Sequence, residues 1–159
     1  KAALASVVVA TLVAKRVIIF TEYRATQKWL QEVLAVEGFT AGDRLLTMYG
    51  GMDPEKREEV KAAFQTSPDT SPVRILLATD AASEGLDFQN FCSRLIHYEI
   101  PWNPNRMEQR SGRVDRHGQK ADEVHIHHFV GRGDAIGHAL VDRCYRKCRA
   151  GDQCASMAH

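Results

Sequence analysis

The chain has four cysteines in 159 residues, Cys92, Cys144, Cys148 and Cys154, and no Cys-x-x-Cys pair among them. Even with His125, His127 and His128 nearby, these spacings meet no zinc-ligand pattern, so no metal site is expected. Nothing suggests a disulfide framework, and a reducing cytoplasm is the default compartment. Cys144 and Cys148 instead continue the apolar stripe of Ile136 and Leu140, where free thiols pack as small hydrophobes. No apolar run reaches the ~20 residues needed to cross a bilayer. Residues 2–14 are almost wholly apolar behind Lys1 and imitate the apolar core of a secretory signal. They run straight into Lys15-Arg16 and a strand-like segment, and the chain begins without Met. Residues 1–15 therefore read as a helix or a lead-in segment cut from a longer protein, with no membrane role. Two further absences concern chemistry. There is no Gly-x-x-x-x-Gly-Lys-Ser/Thr loop to cradle phosphates, and no Asp-Glu pair after a strand to hold magnesium. Internal repeats, low-complexity tracts and a second domain are also missing.

What is present suits one globular domain with a real core. Hydrophobic residues make up 44% and charged residues 26% of the chain, ordinary proportions for a soluble protein. The net charge is only +1, so no global field draws in polyanions. The charge is uneven, however. Residues 106–120 carry five Arg or Lys against two acids, and residues 132–149 carry the same numbers. A local basic strip is compatible with phosphate contacts without a high overall isoelectric point.

Strand and helix patterns alternate along the chain. Apolar runs at 17–20, 45–49, 74–78 and 94–98 read as buried strands, and 123–130 alternates as a fifth. Between them, 26–37 is amphipathic with Trp29, Leu30, Val33 and Leu34 on one side, ending near Gly38. Gly50-Gly51 is a turn. Asp53 is an N-cap with Pro54 at the first helical position of the next helix, whose core stripe is Val60, Ala63 and Phe64. Helices are expected over most of 104–116 and over 134–149, with a frayed tail at 151–159. Alternation of this kind predicts a mainly parallel sheet covered by helices on both faces. Function in such sheets gathers in loops at the carboxyl ends of the strands. Those loops are residues 21–26, 79–87 and 100–105.

Arg106, Gln109, Arg110, Arg113 and Arg116 recur at steps of three and four, which on a helix places them on one face. Crowded guanidinium groups make a poor core, and their planar forks match phosphate oxygens. The alternative is a solvated surface in which Glu108 and Asp115 pair with the arginines. The loop Thr79-Asp80-Ala81-Ala82-Ser83-Glu84-Gly85-Leu86-Asp87 offers a hydroxyl, small residues and a carboxylate suited to a ribose, although Gly and Asp in such loops also serve simply as turn-makers.

In order along the chain, these segments resemble the second RecA-like lobe of superfamily 2 helicases and translocases. Val17-Ile-Ile-Phe-Thr-Glu-Tyr is similar to motif IV, and Tyr49-Gly-Gly-Met-Asp-Pro-Glu-Lys-Arg to the helix start that follows it. Ala78-Thr-Asp-Ala-Ala-Ser-Glu-Gly-Leu-Asp is similar to motif V, and Gln109-Arg-Ser-Gly-Arg-Val-Asp-Arg to motif VI. The extension Arg116-His-Gly-Gln, preceded by Pro101-Trp-Asn-Pro-Asn-Arg-Met-Glu-Gln, resembles the Swi/Snf-like branch. Within it, the chain resembles the bacterial remodelling ATPases that associate with RNA polymerase and the helicase-like proteins of phage-defence systems. Motif V departs from the Gly-Gly-Leu-Gly run usual in chromatin remodellers.

The resemblance implies an α/β RecA-like domain over 16–150, working as the C-terminal lobe of an ATP-dependent motor. Arg113 and Arg116 would be arginine fingers, Gln109 would hold the nucleotide or its water network, and Gly85 and Asp87 would line the ribose. Thr79 would touch a nucleic-acid phosphate, with Arg24 and Thr26 beside the same track, whereas Arg57 reads as a structural helix residue. ATP and Mg2+ would be held mainly by an N-terminal RecA-like lobe of the same polypeptide, so this segment alone is expected to be inactive. The implied partner is nucleic acid, most naturally double-stranded DNA, in a bacterial cytoplasm and associated with the nucleoid. Two other readings stand beside this one. One is a non-catalytic nucleic-acid or protein-binding module that keeps the lobe fold. The other is a free-standing flavodoxin-like nucleotide-binding domain, which leaves the arginine segment unexplained.

Overall fold

The computed structural model describes residues 16–82 and 86–129. Five parallel strands, β1 (Val17–Thr21), β2 (Leu45–Met48), β3 (Ile75–Thr79), β4 (Arg94–His97) and β5 (His125–His128), form one sheet in the order β2-β3-β1-β4-β5. Between them lie α1 (Arg24–Val36), α2 (Pro54–Gln65), a single 3-10 turn at Asp80–Ala82 and α3 (Pro104–Ser111).

The central strands β1 and β3 are apolar up to a closing threonine because both faces of the sheet are covered. Every residue of β1 and β3 is buried, and alternate positions serve opposite layers. Val17, Ile19, Ile75 and Leu77 pack with Leu30 and Leu34 of α1. Ile18, Phe20, Leu76 and Ala78 pack with Val60 and Phe64 of α2 and with Leu86, Phe88 and Val114. The second layer also encloses Cys92, whose thiol burial pushes up to about 12.

Local signals place the helices. Asp53 caps α2 by accepting from the backbone N–H of Glu55 and Lys56, with Pro54 opening the helix. The left-handed φ of +80° at Gly38 ends α1, a conformation that favours glycine.

The structure differs from the expectations at several places that matter for function. The arginine segment is not one helix over 104–116: α3 stops at Ser111, and Gly112 turns the chain. Arg113 and Arg116 therefore leave the helical face, and the even spacing does not align all five side chains. Arg24 and Thr26 lie in the first turn of α1 rather than in a loop. Thr79 is the last residue of β3, paired with Thr21 of β1, rather than the first residue of a loop. Trp29 is 39% exposed, at the edge of the α1 stripe, with its ring 6.1 Å from that of Tyr98. The expected fifth strand is also shorter, and the helix expected at 134–149 lies outside the described residues, as do residues 1–15, Gly85 and the tail at 151–159.

Candidate functional site

Two groups of polar side chains stand at the carboxyl ends of the strands. The first surrounds a cavity of about 340 Å³ lined by Glu22, Asp80, Ala81, Arg106, Gln109, Arg110 and Arg113. Its floor is the Arg110 guanidinium, 2% exposed. Arg110 Nε donates to Asp80 Oδ1 at 2.6 Å and Nη2 to Oδ2 at 2.8 Å, while Nη1 donates to the Glu99 carbonyl at 2.9 Å. The sequence pattern put Arg110 on an anion-facing surface with its neighbours. It is instead a buried structural cation, because the planar fork and the carboxylate satisfy one another.

Arg106, half exposed, lies 3.6 Å from Asp80 and 3.9 Å from Glu22 at the mouth of the cavity. Gln109 is exposed beside it. Arg113 donates through Nη1 to the Leu86 carbonyl at 3.3 Å. Its Nε is buried and has no hydrogen-bond partner. Arg116 is 53% exposed and paired with the Asp87 carboxylate. The fold thus brings Gln109 and Arg113 to one cavity, and joins Arg116 to Asp87. Leu86 reaches the same place through its carbonyl contact with Arg113, whereas Gly85 lies outside the described residues.

The second group lies at the ends of β2 and β3. The Thr79 side chain is buried at 5% exposure, and its hydroxyl accepts from the Gly50 N–H at 3.3 Å. A Cβ added at Gly50 would stand 2.8 Å from the Ala81 Cβ, so only glycine lets this turn pack there. Arg24 stacks on Tyr49, its Cζ 3.5 Å from the ring centroid, and donates to the Gln27 side chain. Thr26 donates to Glu99 Oε1 at 2.7 Å.

Glu99 connects the two groups. Its other oxygen accepts from the Glu22 N–H at 2.6 Å, and its own carbonyl holds Arg110. Sequence reasoning missed Glu99, Gln27 and Asp80 as organisers. Glu99 had one usable signal, an acid immediately after a buried strand. Gln27 had another, a polar residue in the apolar stripe of α1. Fully buried, Gln27 donates to the carbonyls of Met48 at 2.9 Å and Leu77 at 2.7 Å.

Below Arg110 lies a pair of stacked imidazoles, His97 and His128, with centroids 4.6 Å apart and planes 5° from parallel. Burial lowers the His97 pKa well below the usual value, aided by His128 and Arg110. Burial brings His128 down to about 4, with His127 and Arg110 contributing. Neutral rings are compatible with a cation directly above them. Among the described residues no cluster of three metal-ligating side chains occurs, and no helix is long and apolar enough to cross a membrane.

A parallel sheet covered on both faces, with arginines and an acidic partner at its carboxyl edge, defines a RecA-like lobe. The family described as "Helicase conserved C-terminal domain" matches residues 2–118, and the chain belongs to that family. It is 40% identical over 125 residues to the uncharacterized ATP-dependent helicase YqhH of Bacillus subtilis, covering 79% of this chain and 20% of that protein. It is 36% identical over 96 residues to the RNA polymerase-associated protein RapA of Photobacterium profundum, covering 60% of this chain and 10% of that protein. The chain therefore spans a fifth or less of these relatives. The fold is similar to the C-terminal part of the Fun30 ATPase domain, with TM-score 0.74, 21% identity and coverage of 89% of this chain and 43% of that one. It is also similar to the yeast DEAD-box splicing factor Prp28, with TM-score 0.70, 26% identity and coverage of 93% and 30%. The superfamily 2 identification and the RecA-like fold follow, with relatives in the Swi/Snf-like branch. A flavodoxin-like domain does not fit these neighbours.

Proposed function

We propose that this chain is the C-terminal motor lobe of an ATP-dependent DNA translocase or helicase, contributing arginine fingers to a nucleotide held mainly by an N-terminal lobe. The observation that carries this reading is Arg113. Its Nε is buried without a partner at the wall of an open, arginine-lined cavity. An unsatisfied buried donor is costly unless something completes it, and a nucleotide phosphate has the matching acceptors. Bound there, ATP would supply the phosphoryl group that the reaction transfers to water. Arg113 would direct its guanidinium toward the γ-phosphate, and Arg116 would join it after releasing Asp87. Positive charge at the transferring group is worth ~10³ or more in rate. Gln109 would orient the nucleotide or its water from the cavity rim. Asp87, with Gly85, would face the ribose.

Mg2+ would be held mainly by the other lobe: in this cavity Asp80 is taken up by the buried Arg110, and Asp87 would serve the ribose. Nucleic acid would run along the second group. Arg24 would contact the phosphate backbone, and Thr26 and Thr79 would shape that surface through Glu99 and Gly50. Backbone contact of this kind is independent of sequence and weakened by salt. Without the upstream lobe the chain would not hydrolyse ATP.

The test joins the chain to the upstream lobe of its own polypeptide and measures DNA-stimulated ATP hydrolysis. Arg113→Ala and Arg116→Ala are expected to abolish stimulation, and full activity in both would sink the finger assignment. Hydrolysis by this chain alone would sink the division of labour.

A further inference from the structure

Arg24 differs from Arg106, Arg110 and Arg116 in what surrounds it. Those three pair with carboxylates, whereas no ion pair forms at Arg24 among the described residues. Two neutral groups hold it instead. The face of its guanidinium lies on the Tyr49 ring, 3.5 Å from Cζ to centroid, and Nη1 donates to Gln27 Oε1. Gln27 cannot follow a wandering arginine, because its amide nitrogen is fixed by the carbonyls of Met48 and Leu77, on two adjacent strands. The backbone that carries Tyr49 is also constrained. It directly follows β2, and the next residue, Gly50, is held against Thr79 and Ala81.

We infer that Tyr49 and Gln27 are positioning residues that hold Arg24 as a preorganised, uncompensated cation for a nucleic-acid phosphate. An arginine side chain free in solvent loses substantial rotamer entropy when it grips a ligand. Stacking on Tyr49 and the bond to Gln27 place that loss in folding rather than in binding. The stack also leaves the remaining edge of the planar fork available to phosphate oxygens. A lysine at position 24 would keep the charge and lose both the stack and the fork.

The inference rests on the proposed phosphate contact at Arg24, and the experiment separates the two. In the full polypeptide carrying this lobe, the concentration of a mixed-sequence DNA duplex giving half-maximal ATPase stimulation is measured against salt. Arg24→Ala is expected to weaken duplex binding and to flatten the salt dependence by about one phosphate contact. An unchanged Arg24→Ala would overturn the contact itself, and the inference with it. Tyr49→Leu is expected to raise the half-maximal duplex concentration roughly three- to fivefold. The salt slope and the KM for ATP should stay unchanged, with Tyr49→Phe behaving as the parent. Parent-like binding by Tyr49→Leu, or a loss that adds in full to that of Arg24→Ala, would overturn the positioning role while leaving the contact standing. If Tyr49→Leu does not fold, the milder substitution Arg24→Lys decides: a loss like that expected for Tyr49→Leu supports the inference, and parent-like binding refutes it.

Discussion

Arg110 and Asp80 form a two-pronged ion pair between α3 and the turn after β3, with both contacts at 2.8 Å or less. Glu99 extends it toward α1 by accepting from Thr26 and holding Arg110 through its carbonyl. One chain of contacts therefore runs from α3, which leads into the proposed finger segment, to the proposed nucleic-acid surface. Removing one member of a buried pair leaves the other charge unpaired, at a cost of roughly 3–5 kcal/mol. Asp80→Ala should lose stability of about that size in urea unfolding. Arg110→Met with Asp80→Leu should recover most of it, because neither charge then remains.

The contrasting pair is Arg116 with Asp87, both about half exposed. Exposed pairs contribute ~1 kcal/mol at most. Asp87→Asn should leave the melting temperature nearly unchanged while raising the KM for ATP of the two-lobe protein. A large drop in melting temperature would show that the pair is a structural tie.

Acid should destabilise the fold through the stacked histidines. Both have folded pKa values below 6.5, the ordinary histidine value, with His128 at about 4. The unfolded chain therefore takes up protons that the folded chain refuses. Stability from this source is present above about pH 6.5 and falls as the pH drops toward 4. The slope is up to ~1.4 kcal/mol per pH unit for each histidine. Unfolding free energies measured across this window should show that slope, and His128→Phe should reduce it.

Gly50 should resist substitution. The added methyl of Gly50→Ala would stand 2.8 Å from the Ala81 Cβ, and neither group can rotate away. Overpacking of this kind costs ~1–3 kcal/mol. Ala81→Gly in the same chain should restore the loss, as read by thermal unfolding.

Cys92 should be inert. Its thiol is buried, and that burial, partly offset by backbone hydrogen bonding and by Arg16, holds its pKa at about 12. Thiolate is the reactive form. Alkylation at pH 8 should therefore proceed at Cys92 only as fast as the chain unfolds, which mass-resolved labelling with and without urea can measure.

Much of this was legible in the sequence because burial on both faces of a sheet forces continuous apolar runs. The runs at 17–20 and 74–78 identify β1 and β3, and Asp53-Pro54 marks the start of α2 to the residue. The arginine segment was legible in composition but not in geometry. A three-four spacing predicts one face only while the helix lasts, and Gly112 ends it. Arg110, still within α3, points into the core, and after the turn Arg116 reaches out toward Asp87. Which arginine has a carboxylate partner depends on segments far apart in the chain, as Asp80 and Arg110 are.

Alone, the order of residues determined a parallel, doubly covered sheet, the helicase-type motifs and the absence of a phosphate-cradling loop. These follow from local hydrophobicity, turn chemistry and spacing, which a linear reading preserves. Tertiary structure decided which charges are neutralised. It buried Arg110 on Asp80, left the Nε of Arg113 without a partner at the cavity wall, and laid Arg24 on Tyr49. Electrostatic energy depends on distance through space and on exclusion of water, and neither is fixed until the strands are brought side by side.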